Sequence, residues 1–197
     1  GLNTKDEDGL TAFMMACLYG HKDVVKLLLD NYERIELNAR NNFGMTAFTI
    51  ACKSGHKDVV QLLLDHSERN IELNPRNILG FTAFMWACKC GRKDVVQLLL
   101  DHSEGIELNA RTIHGWTAFM WACSYGRKDV VQLLLEHSDM IDLNARKVCR
   151  CSRCTEGCSL GSTAFMEACK YGHEDVVKLL LGHSDRIDFN ARDNYEE

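Results

Sequence analysis

A five-residue string, G-x-T-A-F, recurs five times along this chain, beginning at Gly9, Gly44, Gly80, Gly115 and Gly161. The intervals are 35, 36, 35 and 46 residues, and D-V-V-x-L-L-L begins fourteen residues after each of these glycines. A fixed period of this length predicts a solenoid of stacked units, because one such unit cannot bury its own apolar face. The last interval places about eleven extra residues between the final two copies.

The third copy illustrates what one unit should form. Residues 77–80 predict a turn, and Thr82 can cap a short first helix by accepting from free backbone amides. Gly91 ends that helix. Residues 94–102 predict a second helix, so densely apolar that neighbouring units must cover it. Residues 106–109 alternate in polarity and predict an extended return to the next copy.

The composition limits the classes of partner. Of the 197 residues, 46% are hydrophobic and 26% are charged, which is ordinary for a globular protein. No run approaches the roughly 20 apolar residues of a membrane span. The formal net charge is −5, and Lys and Arg are spread evenly through the copies. We therefore expect neither a membrane nor nucleic acid as a partner.

The copies resemble the ankyrin repeat family. The family pattern is a turn Gly, T-P-L-H-x-A, G-H, an apolar second helix and V-N-A. It appears here as G-x-T-A-F-M-x-A-C, G-H or G-R, D-V-V-x-L-L-L and I-E-L-N-A-R. Ala replaces the family Pro, as at Ala83, and Met or Thr replaces the His, as at Met85 and Thr49. The resemblance implies an all-α fold, an ankyrin-type α-solenoid of stacked helix-turn-helix repeats with short β-hairpin or turn tips.

The predicted domain organisation is a single repeat domain over residues 1–197. The repeats cover about residues 6–40, 41–76, 77–111, 112–157 and 158–192. A Cys-rich insert lies at about residues 147–158. Residues 2–5 match the end of a repeat and residues 193–197 match the start of another, so we expect a segment of a longer array.

The resemblance implies that turn tips and first helices line a concave, partner-binding face. At the variable positions of this face, large apolar and aromatic residues concentrate in copies two to four. The candidate partner-binding residues are Phe43, Met45, Ile78, Leu79, Phe81, Trp86, Ile113, His114, Trp116, Trp121 and Tyr125. Because turn tips are normally polar, an apolar tip surface indicates an interaction site.

Our hypothesis is a monomer that holds a partner protein or peptide in an apolar concave groove. It expects Phe81 and Trp116 to be exposed, so that replacing both with Ala abolishes partner capture and leaves folding intact. The alternative is that Trp86 and Trp121 pack between neighbouring repeats and that the tips pack on each other.

The ten cysteines fall into separate groups. Five occupy one repeated position on the first helix, at Cys17, Cys52, Cys88, Cys123 and Cys169. We predict that these five are core thiols that act as small hydrophobes. Such thiols favour a reducing compartment, and hence an intracellular location in the cytoplasm or nucleus. Cys90 is a single extra thiol with no assigned role.

The remaining four cysteines lie in the insert, at Cys149, Cys151, Cys154 and Cys158. The insert contains almost nothing apolar, so it cannot build a core of its own. Four thiolates can close a structural Zn²⁺ site worth about 10–16 kcal/mol, which would offset the cost of ordering the loop. Two disulfides, an iron–sulfur cluster and a disordered, redox-sensitive loop are the alternatives. A catalytic zinc is not expected, because four Cys ligands leave no open position.

No catalytic constellation is apparent. The His residues and the Asp residues at helix starts recur at repeated structural positions, so we predict that this segment is not an enzyme. The runner-up function is a structural spacer in a larger multidomain protein, with an unliganded Cys-rich loop. The family resemblance also implies possible substrates of asparaginyl hydroxylation at Asn38, Asn74, Asn109, Asn144 and Asn190.

Overall fold

The computed structural model describes residues 1–148 and 161–191, in two compact units. Unit 1 comprises Gly1–Ala87 and Asp94–Glu107, and unit 2 comprises Cys88–Lys93 and the chain from Leu108 onward. The described residues contain ten α-helices and no β-strand, which confirms the all-α class. The helices are α1 Ala12–Tyr19, α2 Lys22–Leu29, α3 Ala47–Ser54, α4 Lys57–Asp65, α5 Ala83–Lys89, α6 Lys93–Asp101, α7 Ala118–Ser124, α8 Lys128–Glu136, α9 Ala164–Lys170 and α10 Glu174–Leu181.

Each predicted repeat forms a first and a second helix, and these helix pairs stack on one another within each unit. In unit 1, α1 contacts α2 and α3, and α4 contacts α2 and α3. In unit 2, α7 contacts α8 and α9, and α10 contacts α8 and α9. Stacked helix pairs are therefore confirmed within each unit, and each pair buries the apolar face of its neighbour.

The Thr of the G-x-T-A-F string directly precedes the first helix of every repeat and caps its N-terminus. Its Oγ1 accepts a hydrogen bond from the backbone N three residues later, for example Thr11 from Met14 at 3.3 Å and Thr46 from Thr49 at 3.4 Å. A left-handed Gly ends α1 and α3, with φ of 73° at Gly20 and 87° at Gly55. Short side chains at the start and glycine at the end thus explain why these helices are only two turns long.

The core is formed by the Phe of the repeated string and by the second helices. Phe48, Phe84 and Phe119 are almost fully buried, as are the Met or Thr residues that directly follow them. Each buried Phe or Leu contributes about 1.5–3 kcal/mol through the hydrophobic effect. The most deeply buried second-helix residues include Val25, Leu29, Val60, Val96, Leu99, Val131, Leu134 and Leu180.

The predicted extended return at residues 106–109 is found only at its first residue, since Ile106 has extended backbone angles, with φ of −115° and ψ of 127°. Ile106 lies in a bend and residues 108–109 lie in a turn. Within the part of the chain that the structure describes, no strand lies alongside this segment to supply a ladder, and an Asn side chain from the preceding repeat satisfies its backbone instead. The Glu107 amide donates to Oδ1 of Asn74 at 2.8 Å, and Nδ2 of Asn74 donates to the Gly105 carbonyl at 2.9 Å.

The same Asn bridge occurs in both units. Asn38 accepts from the Glu72 amide and donates to the Asn70 carbonyl, and Asn109 accepts from the Asp142 amide and donates to the Met140 carbonyl. Equivalent pairs of bonds are made by Asn3 and Asn144. These Asn side chains therefore have a structural role in joining successive repeats.

Four of the five repeated thiols are core thiols, as predicted. Cys17, Cys52, Cys88 and Cys123 are buried and free, whereas Cys169 is exposed. The prediction is wrong for Cys169 because no further helix pair follows α10 within the described residues, so nothing there covers its side of α9. The predicted zinc ligands Cys149, Cys151, Cys154 and Cys158 lie outside the described residues, as do residues 193–197.

Candidate functional site

The turn tips are closed by side-chain hydrogen bonds. Asn41 Oδ1 accepts from the amides of Phe43 at 3.0 Å and Met45 at 2.9 Å, and Asn77 Oδ1 does the same for Leu79 and Phe81. The Asn41 amide also donates to the Met45 carbonyl at 3.0 Å. In unit 2, the Trp116 amide donates to Thr112 Oγ1 at 3.1 Å. Each tip is thus a hydrogen-bonded turn with a defined inner and outer side.

The tip glycines make this turn possible. Gly44 has φ of 73°, in the left-handed region. A Cβ at Gly44 would lie 3.3 Å from Cα of Asn77, closer than about nine in ten real Cβ contacts. Glycine is therefore needed both for the backbone conformation and for the close approach of the next tip within unit 1.

The closed turn sends residues before the Gly outward and the residue after it inward. Phe43, Ile78 and Ile113 are 59%, 74% and 45% exposed. Met45, Phe81 and Trp116, which follow the glycines, are only 7%, 5% and 9% exposed. The predicted exposure of Phe81 and Trp116 is therefore wrong, and from this burial we now expect their replacement by Ala to destabilise the fold.

The remaining candidate residues also differ in their exposure to solvent. Leu79 and Tyr125 are exposed, and His114, Trp86 and Trp121 are half-buried. The outward-facing members are Phe43, Ile78 and Leu79 in unit 1, and Ile113 and Tyr125 in unit 2. Phe81 and Trp116, two of the buried members, instead stack on the half-buried Trp86 and Trp121.

In unit 1, the inward-facing tip residue stacks on the Trp of its own first helix. The ring centroids of Phe81 and Trp86 are 4.8 Å apart, with an interplanar angle of 30°. Lys53, at the end of the preceding first helix, places Nζ 4.8 Å from the Trp86 ring centroid. The Trp86 ring is thus oriented by an aromatic partner and a cation.

In unit 2, the equivalent pair consists of two Trp residues, and a lysine lies over each ring. The centroids of Trp116 and Trp121 are 4.2 Å apart at 19°. Lys147 Nζ lies 4.6 Å from the Trp116 centroid, and Lys89 Nζ lies 4.7 Å from that of Trp121. Lys89 Nζ also lies 4.9 Å from the Tyr125 centroid.

Arg127 completes this arrangement. Its Nε donates to the Lys89 carbonyl at 2.9 Å, and its guanidinium carbon lies 6.0 Å from the Tyr125 centroid. The sequence analysis did not identify Lys89, Arg127 or Lys147 as site residues. The available signal was the position of Lys53 and Lys89, each directly after the repeated Cys of the preceding first helix.

The fifth repeat fills the same two positions with polar residues. Ser162 Oγ donates to Glu167 Oε1 at 2.7 Å, and Glu167 is 0% exposed. The inward-facing position and the helix position therefore change together between repeats: both are aromatic in the third and fourth, and both are polar in the fifth.

The His residues at the repeated positions make structural contacts. His173 Nε2 donates to the Ser124 carbonyl at 2.8 Å, and a Cβ on Gly126 would lie 2.6 Å from His173 Nδ1. His66 and His102 each donate from Nδ1 to the carbonyl four residues earlier, at 2.8 Å. These bonds satisfy carbonyls at helix ends.

The buried thiols are poor nucleophiles. Burial raises the pKa of Cys17 to about 12, and burial likewise raises the pKa of Cys52, Cys88 and Cys123 well above the ordinary value. The thiolate is the reactive form. The four core thiols therefore remain protonated and unreactive at neutral pH.

No group of three or more His, Cys, Asp or Glu side chains within residues 1–148 and 161–191 is placed to hold a metal ion. In those same ranges no helix has both the length and the apolar character required to cross a membrane.

Comparison with known proteins agrees with the repeat architecture. The family model described as ankyrin repeats, in three copies, matches residues 1–77, 31–112, 70–147 and 113–193. These overlapping matches include all five copies of G-x-T-A-F. No curated protein matched the chain. The match to the family model extends over nearly the whole sequence, and the chain belongs to the ankyrin repeat family.

Proposed function

We propose that this chain is a non-catalytic scaffold that binds a partner protein or peptide through its turn tips and first helices. The observation that carries this proposal is the exposure of Phe43, Ile78 and Ile113 on closed turns. Exposed apolar side chains on a preorganised backbone favour binding, because little conformational entropy is lost when they are covered. Partner binding is a general property of the family and supports the same conclusion.

Selection of peptides from a displayed random library on the purified chain tests this proposal. Enriched peptides are synthesised and their affinity is measured for the wild type and for the double variant Phe43→Ser, Ile78→Ser. We expect the double variant to bind at least about tenfold more weakly, a loss of about 1.4 kcal/mol.

The matched control is the double variant Val24→Ser, Leu27→Ser on α2. These two residues are also in unit 1 and are 47% and 64% exposed. They lie away from the tips, so binding should be unchanged. Equal loss in both variants, or loss only in the α2 variant, would contradict the tip surface. A failure to enrich any peptide would favour the structural spacer.

For the Cys-rich insert, we propose a structural zinc site formed by Cys149, Cys151, Cys154 and Cys158. The support is the chemistry and compact spacing of four thiols within ten residues of sequence. When bound, zinc would supply structural cross-linking of the loop and no catalysis. The metal content of protein purified without added zinc should be one ion per chain, and Cys149→Ser with Cys151→Ser should abolish it.

Cys90→Ser is the matched control for the zinc measurement, because Cys90 is a half-buried free thiol outside the insert. It should leave the zinc content unchanged. Protein without metal, with four freely titrating insert thiols, would contradict the zinc site and favour an unliganded loop. The free core thiols further support our proposal of an intracellular, reducing location. We also propose a monomer, which sedimentation of the wild type would test.

A further inference from the structure

The three turn tips of unit 1 follow one another in direct contact. Between the first and second tips, the Asn42 amide donates to the Asp8 carbonyl at 3.1 Å, and Asn42 Nδ2 donates to the Glu7 carbonyl at 2.8 Å. Between the second and third tips, a Cβ added at Gly44 would lie 3.3 Å from the backbone N of Ile78. The outer sides of the three tips therefore form one continuous surface.

The chemistry of this surface changes from acidic to apolar along the tips. The two residues before the tip Gly are Glu7 and Asp8 in the first tip, and Ile78 and Leu79 in the third. In the second tip, Phe43 directly precedes the Gly. All five side chains are exposed. We call these five residues the tip row, with carboxylates at one end and apolar surface over the rest.

The carboxylates of the tip row are not used by the fold. Among the residues that the structure describes, neither Glu7 nor Asp8 has a carboxylate oxygen within 4.0 Å of a Lys, Arg or His nitrogen. The first tip is closed instead by Asp6, whose Oδ1 accepts from the amides of Asp8 at 3.0 Å and Leu10 at 2.7 Å. Both carboxylates are therefore available to a ligand, and their removal leaves the hydrogen bonds of the turn in place.

The cations beside the first two tips make other contacts. Lys5 Nζ donates to the Arg40 carbonyl at 2.8 Å. Arg40 Nη2 pairs with Glu72 Oε2 at 2.9 Å, and Arg40 Nη1 donates to the Gly44 carbonyl at 3.1 Å. Even with Lys5 included, residues 5–8 carry a formal charge of −2. The first tip thus attracts a positively charged partner.

We propose that the tip row binds a peptide segment in which basic residues lie next to apolar residues. Lys or Arg side chains of the peptide lie against Glu7 and Asp8, because carboxylates form their strongest hydrogen bonds with cations. Apolar side chains of the same peptide cover Phe43, Ile78 and Leu79, which removes exposed apolar surface from water. This inference rests on the proposed scaffold function and specifies the chemistry of its partner.

Fluorescence anisotropy of labelled peptides with the full chain tests the proposal. The basic probe has Lys and Arg in its first half, and Leu and Phe separated by Ser in its second half. One counterpart carries Gln in place of Lys and Arg, and a second carries Glu there. We expect the basic probe to bind at least about tenfold more tightly than the Gln peptide, and to weaken as salt is added.

Paired substitutions locate the site. Glu7→Gln with Asp8→Asn removes both charges, so it should weaken the basic probe about tenfold and leave the affinity of the Gln peptide unchanged. The matched control is Asp30→Asn with Glu33→Gln, which removes two charges from exposed residues that follow α2 in unit 1. The control should bind the basic probe as the wild type does, and circular dichroism should be the same for both variants.

The outcomes separate this inference from the scaffold function. Equal binding of the basic and Gln peptides, or preferred binding of the Glu peptide, would overturn the basic partner and leave the scaffold intact. Equal weakening by the two pairs of substitutions would overturn it as well, since the probe would then respond only to the net charge of −5. If none of the three peptides binds, the inference fails, and the display selection described above decides the scaffold function separately.

The apolar part of the contact is tested with the double variant Phe43→Ser, Ile78→Ser. It should weaken the basic probe at least about tenfold. Unchanged binding would overturn the role of the apolar tips. Self-association of the wild type in sedimentation that this variant abolishes would show that a second copy of the chain occupies the tip row, and would also overturn the basic peptide.

Discussion

The fourth and fifth repeats, both in unit 2, share the same order of turn and helices. They differ in the residue after the tip Gly and in the first-helix residue on which it packs. In the fourth repeat, Trp116 stacks on Trp121 and the repeated Cys123 is buried. In the fifth repeat, Ser162 bonds to Glu167 and Cys169 is exposed. The repeated string, the Thr cap and the second-helix pattern are the same in both.

Each repeat therefore contains two kinds of position, those that build the helix pair and those that vary at the turn tip. Positions that build the helix pair are nearly invariant along the chain. The tip residue and its helix partner vary, but they vary together, since one packs directly on the other. A buried Trp pair is stabilised by apolar contact, whereas a buried Ser–Glu pair depends on its hydrogen bond.

The largest expected effect comes from removing the aromatic pair of the fourth repeat. Trp116→Ala should lower the free energy of unfolding by about 3–5 kcal/mol, because it leaves a cavity and removes the stacking on Trp121. Urea titration followed by circular dichroism measures this. Ile113→Ala at the exposed side of the same tip is the control and should change the free energy little. Similar losses in both variants would show that the inner and outer sides are not distinct.

The next largest expected effect is a difference in thiol labelling rate between the repeated Cys residues of the fourth and fifth repeats. In native protein, Cys169 should react with iodoacetamide about a thousandfold faster than Cys123, as an opening free energy of about 4 kcal/mol implies. Peptide mass spectrometry over time measures both rates, and labelling in urea provides the reference in which the two should be similar. Comparable native rates would contradict the burial of Cys123.

Removing the Ser162–Glu167 hydrogen bond tests how much this buried polar pair stabilises the fifth repeat. Ser162→Ala leaves the buried Glu167 carboxylate without its hydroxyl donor and should cost about 1–3 kcal/mol of unfolding free energy. Ser184→Ala, on an exposed Ser, is the control. An effect no larger than the control would show that the Ser162–Glu167 bond contributes nothing to stability.

At alkaline pH, the buried thiols should make the free energy of unfolding depend on pH. Burial raises the pKa of Cys17 from the ordinary 9.0 to about 12. A raised pKa means that the unfolded chain loses this proton first, so stability is unaffected below about pH 9 and falls as pH rises towards 12. Each such thiol should cost about 1.4 kcal/mol per pH unit in that range. Cys17→Ala should show a shallower loss than wild type in urea titrations at pH 9 and 10, and an identical slope would contradict the assignment.

The smallest expected effect is the loss of a single cation from an aromatic ring. Lys89→Met in unit 2 and Lys53→Met in unit 1 should each lower the free energy of unfolding by about 0.5–1 kcal/mol. Thermal unfolding of the two variants, with Lys57→Met as an exposed control, measures these values. A stabilised Lys89 variant would indicate that repulsion with Arg127 outweighs the attraction to the rings.

The pairing of tip and helix residues could have been predicted from the sequence, whereas the direction of the tip side chains could not. The signal for the paired positions is present in the sequence, because residues 81 and 86, 116 and 121, and 162 and 167 change character together at a constant spacing. The direction of each tip side chain depends instead on the turn hydrogen bonds of Asn41, Asn77 and Thr112. Those bonds invert the expected exposure of Phe81 and Trp116 and bury them.

The repeat period, the positions of the helix pairs and the core thiols of the first four repeats could all be predicted before the fold was known, because they follow from local capping and apolar periodicity. Long-range contacts in the folded structure were needed to establish which tip residues face outward and which cations lie over the Trp116–Trp121 pair. Those outcomes depend on contacts between residues that are distant in sequence, such as Lys89 with Trp121 and Lys147 with Trp116. Local propensity carries no information about such contacts, because it acts only over neighbouring residues.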